Sequence, residues 1–244
     1  MIYCEFLKLK RSKVCMVAVL GTFATPLLAV TNSIRSHFTY GSTVSLFAVY
    51  DTAFMFLMLL FGPLIFSIIA SYLFSREYTE KTLKTIFVVP ISKKKFISGK
   101  FITLCICVMI LMLISWAEIF VLGGICEIVW GTGKIDFSAA VYFLIKMIQG
   151  AVLLYFTITP FAFLAMYAKG FIIPMIAAAI IALGNVVLSG SSIAGFVPWS
   201  ASYLIVRRIN QSACPTFVSM IIILVLFLLS YICSILLFEK EDVA

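Results

Sequence analysis

Charge is scarce in this sequence. Only 11% of its 244 residues are charged, with ten Asp and Glu against 18 Lys and Arg. A soluble domain carries about a quarter of its residues as charges and about half as apolar groups, whereas here 64% are hydrophobic. One core cannot hide that much apolar surface in water, so the composition implies lipid as solvent. Histidine occurs once, at His37, which excludes HExxH and paired-histidine metal centres. Seven cysteines, an odd number set mostly in apolar runs, exclude a disulfide framework. Cys105 and Cys107 point to nearly opposite sides of a helix and read as small buried hydrophobes. Cys126 and Cys214 fall near the same membrane face, but their spacing carries no pairing signal. A P-loop is missing too. Gly133-Lys134 and Gly99-Lys100 end like one, but the motif also needs an upstream glycine and a following Ser or Thr. Those positions hold Ile128 and Ile135, or Lys94 and Phe101. The chain therefore has no catalytic set of its own, neither for ATP hydrolysis by that route nor for chemistry within the membrane.

What the sequence does have is long apolar runs, over residues 14–30, 52–75, 101–125, 139–167, 171–188 and 215–238. A span takes roughly 20 residues. The expected fold is an all-α integral membrane protein, one domain over 1–244 with six transmembrane helices. The first run follows Lys8, Lys10, Arg11 and Lys13, the outline of a signal peptide, but Ala29-Val30-Thr31 is a poor cleavage site. Gly62-Pro63 and Thr157-Ile158-Thr159-Pro160 place prolines inside spans, the second marking a kink. Residues 189–213 read as irregular and must bury or hydrate their backbone groups; Trp199 and Tyr203 there suit a membrane interface. With the N-terminus inside, cytoplasmic segments hold 13 Lys and Arg and outer loops hold four. That bias puts both termini in the cytoplasm of a multi-pass cell-membrane protein. The net charge of +8 then reflects inner loops rather than nucleic-acid binding.

Two ionisable residues fall inside these runs, Glu118 and Lys146, and each is costly in lipid. Glu118 lies about 25 Å from the cytoplasmic end of its run and Lys146 about 10 Å inward from the outer end of the next. Both depths fall in the outer leaflet, so the two form a candidate intramembrane polar pair. They can instead snorkel separately, or line a substrate path. A secondary transporter or channel would use them with an ion gradient and no ATPase partner.

The largest polar stretch, Arg76 to Lys100, lies between the second and third runs. Glu77, Glu80, Lys81 and Lys84 stand in i,i+3 and i,i+4 relations on a helix that must end before Pro90. Tyr78, Leu83, Ile86 and Phe87 give it an apolar face, fit for the inner membrane surface or for a cytoplasmic partner. This segment, EKTLKTIFVVPISKKKFISGK after a span ending in Arg76-Glu77, resembles the coupling segment of ABC-2 type transporter permeases. The acidic residues fall on Glu77 and Glu80, the Thr-Leu pair on Thr82 and Leu83, the proline on Pro90, and the basic group on Lys93 to Lys95 with Lys100. Lys81 stands where glycine is common. The opening EFLKLKRSK resembles the amphipathic helix before the first span of these permeases, and Gly195 to Ser200 resembles the branch serving bacitracin resistance and lantibiotic immunity.

The resemblance implies the permease subunit of an ATP-driven exporter of peptide antibiotic or another amphipathic substrate. It implies two ABC ATP-binding subunits, a second permease half, identical or paralogous, and no cofactor on this chain, ATP and Mg being held by the partner. Arg76, Glu77, Glu80, Thr82, Leu83, Lys84 and Pro90 would form the ATPase-coupling element, a cytoplasmic amphipathic helix between spans two and three.

Overall fold

The computed structural model describes residues 2–10, 12–41, 43–80, 92–131, 133, 135–209 and 214–240. These fold as α1 (Ile2–Lys10), α2 (Lys13–Tyr40), α3 (Leu46–Phe56), a π-helical turn (Leu57–Phe61), α4 (Gly62–Thr79), α5 (Lys93–Trp130), α6 (Phe137–Tyr167), α7 (Ile172–Leu188), a 3-10 turn (Ala194–Phe196), α8 (Pro198–Arg207) and α9 (Thr216–Lys240). Among the described residues there is no strand.

Each of the six apolar runs falls in a helix, apart from Phe171 and Pro215 just before α7 and α9, and most of the helices overshoot their run. Five are long and apolar enough to cross a membrane: α2, α3 continued through α4, α5, α6 and α9. The sixth, α7, has 17 residues and rises about 25 Å, the short end of what a span requires. The α3–α4 helix is central, with 67% of its most apolar window buried against 22% for α9. Its neighbours are α2, α5, α6 and α7. A glycine permits the closest approach on each side. A Cβ on Gly150 of α6 would stand 2.8 Å from Met58 Sδ, and one on Gly123 of α5 the same distance from Leu46 Cδ1.

Three prolines sit at helix-interior depth, and two share one remedy. Proline removes the N–H that would bond the carbonyl four residues back. At Pro26 that carbonyl is Thr22 O, which accepts the Thr25 hydroxyl at 2.8 Å. At Pro160 it is Phe156 O, which accepts the Thr159 hydroxyl at 2.8 Å. In each case the threonine just before the proline satisfies the freed carbonyl, so the helix runs on. Pro63 has no such neighbour, and there the ladder shifts into the π-helical turn before it, a common way for a helix to absorb a break.

Residues 198–207, expected to be irregular, form α8, packed against α6 and α9. Side chains satisfy its surroundings. Trp199 Nε1 donates to Thr157 O at 3.0 Å, Ser200 Oγ to Ala194 O at 2.9 Å and Ser219 Oγ to Gly195 O at 2.7 Å. Tyr203 is buried, and the Trp199 indole serves the α6 backbone. Both polar tips are engaged within the fold, Trp199 Nε1 on α6 and Tyr203 Oη as acceptor from Arg207. His37 lies in the last turn of α2.

Candidate functional site

At the α1 end of the bundle, four charged side chains from three helices converge. Glu77, two residues before α4 ends at Thr79, is 2% exposed, and Lys100 of α5 is 1% exposed. The two form a direct ion pair. Lys100 Nζ also donates to Leu73 O at 2.5 Å and stands 5.7 Å and 5.2 Å from the centres of the Phe74 and Phe96 rings. The second carboxylate oxygen of Glu77 has Lys8 Nζ at 3.6 Å, and Lys8 in turn holds Glu5 at 2.9 Å. Glu5 and Leu9 of α1 are buried as well. Burial pulls the Lys8 ammonium down, but its hydrogen bond to Glu5 and the charges of Glu5 and Glu77 outweigh that and hold it above the ordinary lysine value. Two carboxylates against two ammonium groups leave the cluster neutral. Burial is tolerable for such a group only while every member keeps its partner.

This geometry revises the expected pattern of charge pairs. Glu80 pairs backward with Arg76 at 2.8 Å, and Arg76 lies over the Tyr72 ring at 5.6 Å. Glu77 turns inward to α5 and α1 and presents no surface to a partner. Thr82, Leu83, Lys84 and Pro90 lie outside the described residues. Beyond them, Ser92 caps α5 by accepting from Lys95 N, and the start of α5 is tied to α9. Lys94 reaches Glu239 at 3.4 Å, and Ser98 shares a hydrogen bond with Tyr231 at 2.9 Å.

Glu118 and Lys146 are not brought together. Lys146 Nζ donates to Val206 O at 2.5 Å and lies 5.4 Å from the Tyr142 ring centre. It thereby caps the last turn of α8, where a cation also complements the helix dipole. One oxygen of Glu118 is buried without a hydrogen-bond partner. The depths matched, but Lys146 takes a backbone acceptor on a helix the sequence did not announce. Cys126 and Cys214 are buried and unlinked.

The family model for ABC-2 family transporter proteins matches residues 1–185, which include α1, the α4–α5 junction and the whole charge cluster. The chain belongs to the ABC-2 transporter family. The bacitracin transport permease protein BCRB of Bacillus licheniformis is 29% identical over 189 residues, covering 78% of this chain and 89% of that relative. This ABC-2 permease is thus a transmembrane subunit of an ABC transporter, similar to a bacitracin transport permease and distinct from the ATPase subunit.

Sequence reasoning drew the spans too short at both ends, so it missed Asp51 and Glu127 and read Glu77 and Lys100 as parts of a surface segment rather than of the bundle. Asp51, Glu77, Lys100 and Glu127 all lie within the long helices. Asp51 pairs with Arg207 at 2.7 Å, and Arg207 also donates to Tyr203 Oη at 2.9 Å. Glu127, 3% exposed, accepts the Asp136 N–H at 3.3 Å across the α5–α6 turn. One signal was available for the cluster: an acid at the end of one apolar run and a base at the start of the next.

Proposed function

We propose that this permease is one half of an ATP-driven exporter whose α1 end faces the cytoplasm. In this reading all six helical runs cross the membrane, α7 included, and both termini are cytoplasmic. Two ATP-binding subunits, holding ATP and Mg, dock beneath a pair of permease halves, identical or paralogous. The cargo is a peptide antibiotic of the bacitracin kind or another amphipathic molecule leaving the membrane. The coupling element is Arg76, Glu77, Glu80, Thr82, Leu83, Lys84 and Pro90, with Lys100, Glu5 and Lys8 as its anchor in the bundle.

The observation that carries this reading is the ion pair of Glu77 and Lys100 on the two sides of residues 81–91. A force applied to that segment reaches α4 and α5 at residues already locked to each other and, through Lys8, to α1. Coupling needs a contiguous network with discrete arrangements, and a largely buried cluster of ion pairs joining three helices supports that reading. The bias of Lys and Arg toward the same end supports the orientation.

Inverted membrane vesicles holding the permease with its ATP-binding subunit test this directly. Labelled bacitracin should accumulate inside only with hydrolysable ATP. Accumulation driven by an ion gradient, with no ATP-binding subunit present, would favour a secondary transporter and sink the exporter reading.

A further inference from the structure

On the side away from α1, a cavity of about 440 Å³ opens between α6, α8 and α9, within the roughly 300–1,000 Å³ typical of small-ligand sites. Its walls are mostly apolar, among them Ile148, Val152, Leu153 and Met220, and its two polar residues are Gln149 and Arg208. Gln149 is exposed and makes no hydrogen bond among the described residues. It lies 12 residues, about 18 Å, along α6 from Phe137. The 31 residues of α6 span about 46 Å, against roughly 30 Å of hydrocarbon. With the whole excess at that end, Gln149 sits about 2 Å inside the edge of the apolar layer, within reach of a headgroup, where an unpaired amide is still costly.

Arg208 is held at the mouth of this cavity by the end of α8. It takes the left-handed conformation, φ 56°, that closes that helix. Such a φ is unusual for a residue other than glycine, and it fixes where the side chain leaves the backbone. No carboxylate neutralises Arg208 among the described residues, since Asp51 is already paired with its neighbour Arg207. Lys146, bonded to Val206 O, offsets the negative end of α8 beside it. The site therefore combines a cation, an amide donor and apolar walls at membrane depth, with no acid among its lining residues.

From this juxtaposition we infer that the cavity holds an anionic phospholipid from the leaflet opposite α1. The phosphate is received by Arg208 and Gln149, and an acyl chain lies along Ile148, Val152 and Met220. Arginine favours phosphate because its planar fork presents paired donors.

The test is native mass spectrometry of the full chain released from nanodiscs containing phosphatidylglycerol and phosphatidylcholine. One phosphatidylglycerol should stay bound through detergent exchange. Arg208→Gln should weaken its retention about tenfold, equivalent to about 1.4 kcal/mol, and Arg208→Lys should recover part of it. Val152→Trp, which fills the cavity and leaves both polar groups, should lower retention as well, separating a seated lipid from loose attraction to charge. Arg35→Gln, a change to an exposed arginine of α2, should have no effect. Equal retention by wild type and Arg208→Gln would overturn the inference. So would equal binding of phosphatidylcholine, displacement by millimolar inorganic phosphate alone, or a dimer in which a second copy covers this face and no lipid is kept.

Discussion

At the α1 end, Glu5 and Glu77 meet Lys8 and Lys100 from three different helices. At the other end, Lys146 rests on a backbone carbonyl and Arg208 meets no carboxylate among the described residues. Both ends place cations near or within the apolar layer, but the remedies differ in reach. A carbonyl cap is local: it needs only α6 and the end of α8, and it leaves the rest of the bundle free. A paired cluster is collective, because moving α1, α4 or α5 alone strands a buried charge. Stranding one costs about 3–5 kcal/mol, which makes separate motion of those helices expensive and joint motion cheap. That difference is what a lever requires at one end and what a ligand-accessible wall requires at the other.

The comparison is broken most severely by Lys100→Met. It leaves Glu77 buried with only Lys8, at 3.6 Å, to balance it. The loss of stability should be about 3–5 kcal/mol, and Glu77→Met together with Lys100→Met should recover most of it, since an apolar pair of similar volume needs no partner. Thermal unfolding of the purified permease in detergent checks both halves of this expectation. If the double variant is no better than the single, the pair is not the cause.

Lys146→Met should cost less, about 1.5–3 kcal/mol, the range for one hydrogen bond to a charged group. Its effect should add to that of Glu118→Gln within about 0.5 kcal/mol, because the two residues share no contact. A coupling energy well above that in the same unfolding assay would restore the direct pair that their depths alone suggest.

The smallest effect should come from Asp51→Asn. Its partner Arg207 is partly exposed and keeps the Tyr203 hydroxyl at 2.9 Å, so the ion pair should contribute no more than about 1 kcal/mol. Rising salt should erase much of the difference between Asp51→Asn and wild type while leaving the Lys100→Met loss nearly unchanged, because buried pairs are screened far less. Equal salt sensitivity at the two sites would remove the distinction drawn between them.

The helices were legible because apolar runs of this length have few alternatives. Their ends were not. The run before residues 76–100 stops being apolar at Ser75, yet α4 continues through Glu77 to Thr79, because partners on α1 and α5 neutralise that charge. Pairings across 23 and 69 positions leave no local pattern to read. Depth along a helix can be counted from sequence, which is why Glu118 and Lys146 looked matched. The direction each side chain takes around its helix cannot be counted in the same way. Lys146 found a carbonyl on α8, and α8 itself was hidden because its ten residues, Pro198–Arg207, sit among glycines, serines and a proline that read as loop. Of the cluster, Glu77 and Lys100 lay in the segment that resembled the family pattern. Glu5 and Lys8 were noticed only as part of an amphipathic opening, with no hint that they reach Glu77.

The central claim is that the buried cluster carries motion between the ATP-binding subunits and the membrane helices. The direct measurement is peptide transported per ATP hydrolysed, for Glu77→Met with Lys100→Met, in vesicles reconstituted with the ATP-binding subunit. The double variant should fold, assemble and hydrolyse ATP, while transport per ATP falls well below wild type, because α4 and α5 are no longer joined by charge to α1. A wild-type ratio from a properly assembled double variant would contradict the claim and leave the cluster a purely structural element.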